Sequence, residues 1–230
     1  MKKILTLIFI TLVLTGCSNE GIDKSSSSNA FSPSVTKLDL TSKLPVNLKQ
    51  NSPETFAQIS QMATYMNLGS MYMNNNNSAS RTSGLINTWN YGGFTVAYTY
   101  SLVGSQYQFN YTITQDSKIY YTISGWENKD GSAGHWSYNI NTAVLGLPNG
   151  SSYNIIFDWT KSNIGNYHFE MKCDMGSSNN LYYIANINYD YSGNYKYTLN
   201  NSPFLDASWN ASGHGKLTYY YSDPPTMYTF

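Results

Sequence analysis

The chain is poor in charge. Only 11% of its 230 residues are Asp, Glu, Lys or Arg, against about 25% in an average soluble domain. Thirteen basic residues balance thirteen acidic ones, so the formal net charge is zero. That inventory cannot supply the clustered Lys and Arg that bind nucleic acid. It also excludes a highly charged disordered chain. Cysteine is almost absent, at two residues, too few for a thiolate metal site. No nucleophile elbow, His-Glu-x-x-His or phosphate loop occurs. Tyrosine is abundant instead, at 22 residues, with 9 Phe and 5 Trp. Aromatic side chains favour strands, so the composition already leans to β-sheet.

The N-terminus is the most specific feature. Lys2 and Lys3 precede an uncharged, mostly apolar run over residues 4–14, the layout of a signal peptide. The run is too short to span a bilayer, which takes about 20 apolar residues. It closes on Leu14-Thr15-Gly16-Cys17, which resembles the lipobox of bacterial lipoproteins. That resemblance implies a diacylglycerated Cys17 thiol, cleavage just before Cys17 and acylation of the new amino terminus. Two or more acyl chains hold a protein firmly on a bilayer, whereas one binds marginally. By the same resemblance, Ser18 rather than Asp after the cysteine favours the outer membrane. With Cys17 acylated, Cys173 has no disulfide partner.

Residues 17–51 read as a lipid anchor and tether, with a low-complexity stretch at Ser25-Ser26-Ser27-Ser28-Asn29. Leu38, Leu40, Leu44 and Val46 suggest a short ordered piece within it. Ser52-Pro53-Glu54 is a helix-start signature: a favoured N-cap, a proline allowed in the first turn, and an acid at the positive end of the dipole. Phe56, Ile59, Ala63 and Met66 then recur at helical spacing, widened by Met62, Leu68 and Met71. The pattern predicts one amphipathic helix that ends before the Asn run at 74–77. A membrane-surface helix would carry Lys or Arg on its polar face, and none lies between Pro53 and Asn77.

From Gly84 onward the apolar period is two. Phe94, Val96, Tyr98, Tyr100 and Leu102 alternate with Thr95, Ala97, Thr99 and Ser101; Tyr107, Phe109, Tyr111 and Ile113 alternate with Gln106, Gln108, Asn110 and Thr112. Tyr153, Ile155, Phe157 and Trp159 follow, then Tyr167, Phe169, Met171 and Cys173 opposite His168, Glu170 and Lys172, then Leu181, Tyr183, Ala185, Ile187 and Tyr189, and last Leu217, Tyr219 and Tyr221. Such alternation means antiparallel strands with one buried face. A unit repeats: an aromatic residue, a polar turn with Gly, then a strand, starting at Trp89, Trp126, Trp159, Tyr191 and Trp209. Without helix-length gaps, parallel crossovers are excluded. The fold class is mainly β: an antiparallel meander of about ten strands, barrel-like or strongly curved, with one N-terminal amphipathic helix. The domain covers residues 52–230, behind a signal peptide at 1–16. A membrane barrel is disfavoured, because Pro224-Pro225 interrupts the terminal strand and the polar face carries Thr, Gln, Asn and Ser.

Candidate site residues are few. Trp126, Trp136 and Trp209 lie near predicted turns, where aromatics at a rim stack on sugar rings or line an apolar pocket. Tyr120 and Trp126 fall out of phase with Ile119, Tyr121 and Ile123, which predicts exposure. His135 and His214 each follow a Gly at predicted hairpin turns, and would form a metal site only if those turns shared one rim. Asp158, Asp174, Asp190, Asp206 and Asp223 sit near strand ends, where Asp usually caps turns. No cofactor is implied. The composition and layout resemble uncharacterised exported lipoproteins of Bacteroidetes-like bacteria, which implies no activity. The expectation is a lipid-anchored envelope protein. It acts as a non-catalytic module that binds a glycan, an apolar ligand or an envelope protein, or as a self-associating structural lipoprotein; a hydrolase using the strand-end Asp or turn His residues ranks behind both.

Overall fold

The computed structural model describes residues 40–68, 87–91, 93–141, 152–176 and 180–230. Within them a 3-10 turn (Thr41–Lys43) leads into two helices, α1 (Leu48–Asn51) and α2 (Pro53–Leu68). Ser52 caps α2 as its position predicts. The Thr55 backbone N–H donates to Ser52 Oγ at 3.4 Å, and that hydroxyl donates to Thr55 Oγ1 at 2.7 Å. Thr55, Ile59, Met62 and Ala63 form the buried stripe of the helix, at i, i+4 and i+7 spacing. Met66 and Leu68 fall among side chains outside the described set, as do Met71, the Asn run and Leu38. Leu40, Leu44 and Leu48 join the same core. The packed domain therefore reaches back into the stretch assigned to the tether, and Val46 there is 91% exposed.

The described residues form twelve strands: β1 (Asn87–Tyr91), β2 (Phe94–Val103), β3 (Gln106–Gln115), β4 (Lys118–Asn128), β5 (Ala133–Asn141), β6 (Ser152–Lys161), β7 (Tyr167–Asp174), β8 (Asn180–Ile187), β9 (Gly193–Leu199), β10 (Ser202–Trp209), β11 (Gly215–Tyr219) and β12 (Thr226–Thr229). Each pairs antiparallel with its sequence neighbour in one sheet ordered β1 to β12. The strand count exceeds ten because the short edge strands β1 and β12 carry too little alternation to register in sequence. β1 and β12 do not pair, so the meander is an open sheet and not a closed barrel.

One face of the sheet is the core. Val96, Phe109, Ile123, Trp136, Phe157, Phe169, Ala185, Tyr195, Leu205 and Leu217, one from each strand β2 to β11, are all buried. Laid flat, twelve strands at roughly 4.8 Å spacing would extend some 50 Å, about twice the length of a helix of this size. Two short helices cannot cover such a face, so the sheet must wrap around them. Aromatic bulk fills the concave side. Trp136 meets Phe109 and Trp159 edge-on, with centroids 5.1 and 6.1 Å apart. Two of the tryptophan rings lie over glycines on the neighbouring strand: Trp159 opposite Gly134, and Trp209 opposite Gly193.

The turns alternate between two poles of the sheet. At one pole, 162–166, 188–192 and 210–214 share a hydrogen-bond pattern, with the first N–H bonding to the fifth carbonyl and the fourth N–H to the first carbonyl. The fourth residue of each has positive φ: Gly165, Tyr191 and Gly213. This is the structural basis of the aromatic-turn-strand repeat.

Candidate functional site

The convex face of the sheet carries the polar residues that the alternation excludes from the core. Register aligns Gln108, Trp126, His135, Asp158 and Glu170 across β3 to β7, each opposite the next. His135 Nδ1 lies 2.7 Å from Asp158 Oδ1. Glu170 is the centre of a second group. Its Oε1 is 3.1 Å from His168 Nε2, and its Oε2 accepts from the Tyr182 hydroxyl at 2.8 Å. Lys172 Nζ stands 3.6 Å from the same oxygen and 5.3 Å from the centre of the Tyr182 ring. The chain continues sideways: His168 Nδ1 is 2.6 Å from Asn186 Oδ1, and Asn186 Nδ2 donates to Asn194 Oδ1 at 2.8 Å. Two rows from the His135–Asp158 pair, Asn139 Nδ2 donates to Asn154 Oδ1 at 2.7 Å.

Two groups in this network titrate away from their ordinary values. Partial burial pushes the Glu170 carboxyl up, but the hydrogen bonds from Tyr182 and His168 and the Lys172 charge outweigh it and hold the carboxyl below the usual range. Burial, then the hydrogen bond to Glu170 and its charge, pushes the Tyr182 phenol up to about 12. Both are half-buried, so the network is held in place while its edges remain open to solvent. A half-buried Trp126 borders it, with Gln108 and His135 as register partners.

The residues singled out in sequence separate into three groups. Trp126 lies on the convex face, as its phase predicts. Trp136 and Trp209 do not: both are buried on the concave face, and their expected role in ligand binding is corrected to core packing. Proximity to a turn misleads there, because strand phase decides which face a side chain takes. Trp136 donates from Nε1 to the fully buried Glu127 at 2.8 Å, and Trp209 donates from Nε1 to the Tyr191 carbonyl at 2.9 Å. Tyr120 is the extra residue where the β3–β4 register shifts, and its ring meets Phe94 edge-on at 5.3 Å. The bulge explains its broken phase. Five residues of β4 separate it from Trp126, so the two do not share a rim.

His135 is a strand residue of β5 and not a turn residue, whereas His214 lies in the 210–214 turn, 3.5 Å from Asn51 Nδ2. Five strands, β6 to β10, lie between these histidines in the sheet, and among the described residues no group of three His, Cys, Asp or Glu is placed to hold a metal. Of the aspartates, Asp158 and Asp206 face the convex side from within strands, while Asp174 and Asp190 accept turn N–H bonds. Sequence reasoning missed the network of His168, Glu170, Lys172, Tyr182 and Asn186. The alternation placed the first three on one face, but nothing local says which residue stands opposite on the next strand.

Cys17 lies outside the described residues, and its evidence comes from comparison. Residues 1–18 match the model of the prokaryotic membrane lipoprotein lipid attachment site. The protein is lipid-anchored in the bacterial cell envelope. No curated protein and no solved structure matches this lipoprotein. Its second cysteine, Cys173, is buried in β7, and burial followed by the Asp174 charge pushes its thiol up to about 12. A thiol so far from its thiolate is inert at neutral pH.

Proposed function

We propose that this lipoprotein is a non-catalytic binding module displayed on the outer membrane, and that its convex face takes a neutral glycan. The carrying observation is a register-aligned polar strip in which Trp126 stands beside the hydrogen-bonded His135–Asp158 pair, next to the Glu170 group that runs from Tyr182 through Glu170 and His168 to Asn186 and Asn194. A sugar offers hydroxyl groups that both donate and accept, and C–H faces that stack on an aromatic ring. Carboxylates and amides held by neighbours bind hydroxyls without first losing side-chain freedom. Acids and bases are interleaved in this strip, which suits an uncharged ligand.

Catalysis is the weaker reading. Asp158 and Glu170 stand directly opposite on β6 and β7, and glycoside hydrolysis uses two nearby carboxylates. A general acid, however, needs a raised pKa, and Glu170 is shifted the other way. The outer-membrane placement rests on Ser18 after the cysteine, and the resemblance to exported lipoproteins of Bacteroidetes-like bacteria agrees with display at a surface.

The test titrates the unacylated Cys17→Ser full chain with a panel of neutral oligosaccharides, read by tryptophan fluorescence and calorimetry. At least one oligosaccharide binds. Trp126→Ala abolishes that binding, and Asp158→Asn weakens it at least about tenfold, the loss of one charge-assisted hydrogen bond. No binding across the panel, or binding untouched by Trp126→Ala, overturns the reading.

A further inference from the structure

The lipid anchor enters the fold at a particular pole. The described chain begins at Leu40, and the segment that follows packs on the turns of one end of the sheet. Pro45, Asn47 and Leu48 pack against Gly213, and Asn51 Nδ2 donates to the Gly213 carbonyl at 3.1 Å. Lys43 reaches the neighbouring 162–166 and 188–192 turns and shares a cleft of about 260 Å³ with Lys161, Ile164, Tyr167, Tyr189 and Tyr191. Residues 18–39 connect this pole to Cys17, and so many residues reach at most about 80 Å.

The neutral chain is electrically polarised along this axis. The anchored pole carries Lys43, Lys49, Lys129 and Lys161 against Asp130 and Asp190. The opposite pole carries Asp116, Asp174 and Asp223 against Lys118. Four exposed apolar side chains line the anchored pole, Val46 at 91%, Tyr189 at 68%, Ile164 at 67% and Tyr191 at 50%, while others such as Ile119, Tyr221 and Met227 lie at the opposite pole or on the edge strand β12. Ile and Tyr are unusual in tight turns, where Gly, Asn and Ser dominate. Tyr191 is the sharpest case. It holds φ 70° at the position where the two equivalent turns place Gly165 and Gly213. A bulky residue with positive φ is an outlier that commonly marks function.

We propose that this pole docks on the membrane that holds the anchor. Val46, Ile164, Tyr189 and Tyr191 enter the interfacial layer, and Lys43 and Lys161 face the phosphate of an anionic headgroup across the cleft. Tyr at the interface and Lys reaching to headgroups are the side chains such a boundary selects. A short tether raises the local lipid concentration, so a weak surface suffices. Docking fixes the orientation of the domain and leaves the convex face open. The inference rests on the lipid anchor and not on the glycan reading, so either can fail alone.

Two measurements test it. In the first, the acylated full chain is reconstituted in vesicles of phosphatidylcholine and phosphatidylglycerol, with a nitroxide on Ile164→Cys or, at the far pole, on Asp116→Cys. The buried Cys173 stays unlabelled. The label at 164 is accessible to oxygen and shielded from a water-soluble relaxant, while the label at 116 behaves as fully aqueous. Equal aqueous exposure at both positions overturns the proposal.

In the second, the Cys17→Ser full chain is sedimented with the same vesicles and with pure phosphatidylcholine. Phosphatidylglycerol increases partitioning, and Lys43→Glu with Lys161→Glu lowers it by roughly tenfold or more. Tyr191→Gly lowers partitioning without lowering the urea unfolding midpoint. Partitioning that ignores phosphatidylglycerol or these lysines overturns the proposal, as does a Tyr191→Gly variant that loses fold stability but keeps its membrane binding.

Discussion

Glu170 shows how one side chain links packing to chemistry. Alternation places it on the convex face beside His168 and Lys172, and only pairing with β8 brings in Tyr182. Its folded carboxyl titrates below the unfolded range, which lies at roughly 4.3. The stabilisation is therefore complete above that pH and is lost as pH falls through the depressed folded value. Glu170→Gln should cost about 1 kcal/mol at pH 7, tempered by the 26% exposure of the side chain. Urea unfolding at pH 7 and at pH 3 checks this, and the gap between variant and parent closes at the lower pH. The same substitution removes the neighbouring charge that helps hold up the Tyr182 phenol, so that phenol titrates lower.

Strands and turns are where the sequence was most legible. Period-two alternation located the buried face of nearly every strand, including inward Trp159 and Cys173, but it overran the strand ends at Leu102, Tyr189 and Tyr221, which are exposed because the core stops short of the turns. The repeated turn signal is real, and three of its members share one hydrogen-bond pattern. The rings on the concave face depend on glycines whose role no local pattern shows. A Cβ built on Gly134 falls on the Trp159 ring, with three ring carbons within 3 Å. Gly134→Ala should thus destabilise by about 1–3 kcal/mol through overpacking, seen as a lower urea midpoint at unchanged m-value. Trp126 and Trp136 make the complementary point. Both stand near the same hairpin, yet one faces out and the other in, because each obeys the phase of its own strand.

At the scale of the molecule, the sheet and the helical segment depend on one another. The open meander buries its concave face only by wrapping around residues 40–63, where Leu40, Leu48, Ile59 and Met62 are at most 1% exposed. Ile59→Asp places an unpaired charge in that core, and the cost should exceed about 4 kcal/mol. Circular dichroism and thermal unfolding check it: the variant loses its cooperative transition, while Ala57→Asp on the exposed side of α2 keeps it. Neither the number of strands nor the failure to close was legible, since both depend on the short edges β1 and β12.

The sequence by itself determined the address and the face of each strand. Both are local: the lipobox is contiguous, and the side-chain period of two needs no partner. The positive-φ turn positions at Gly165 and Gly213 are local in the same sense, because only glycine adopts them freely. Tertiary structure decided what meets across strands: the His135–Asp158 pair, the Glu170 network, and the gathering of lysines at the anchored pole. Those depend on register and on sheet wrapping, which sum contacts between residues far apart in the chain. A neutral composition thus conceals a polarised molecule, because net charge records how many charges there are and the fold sets where they lie.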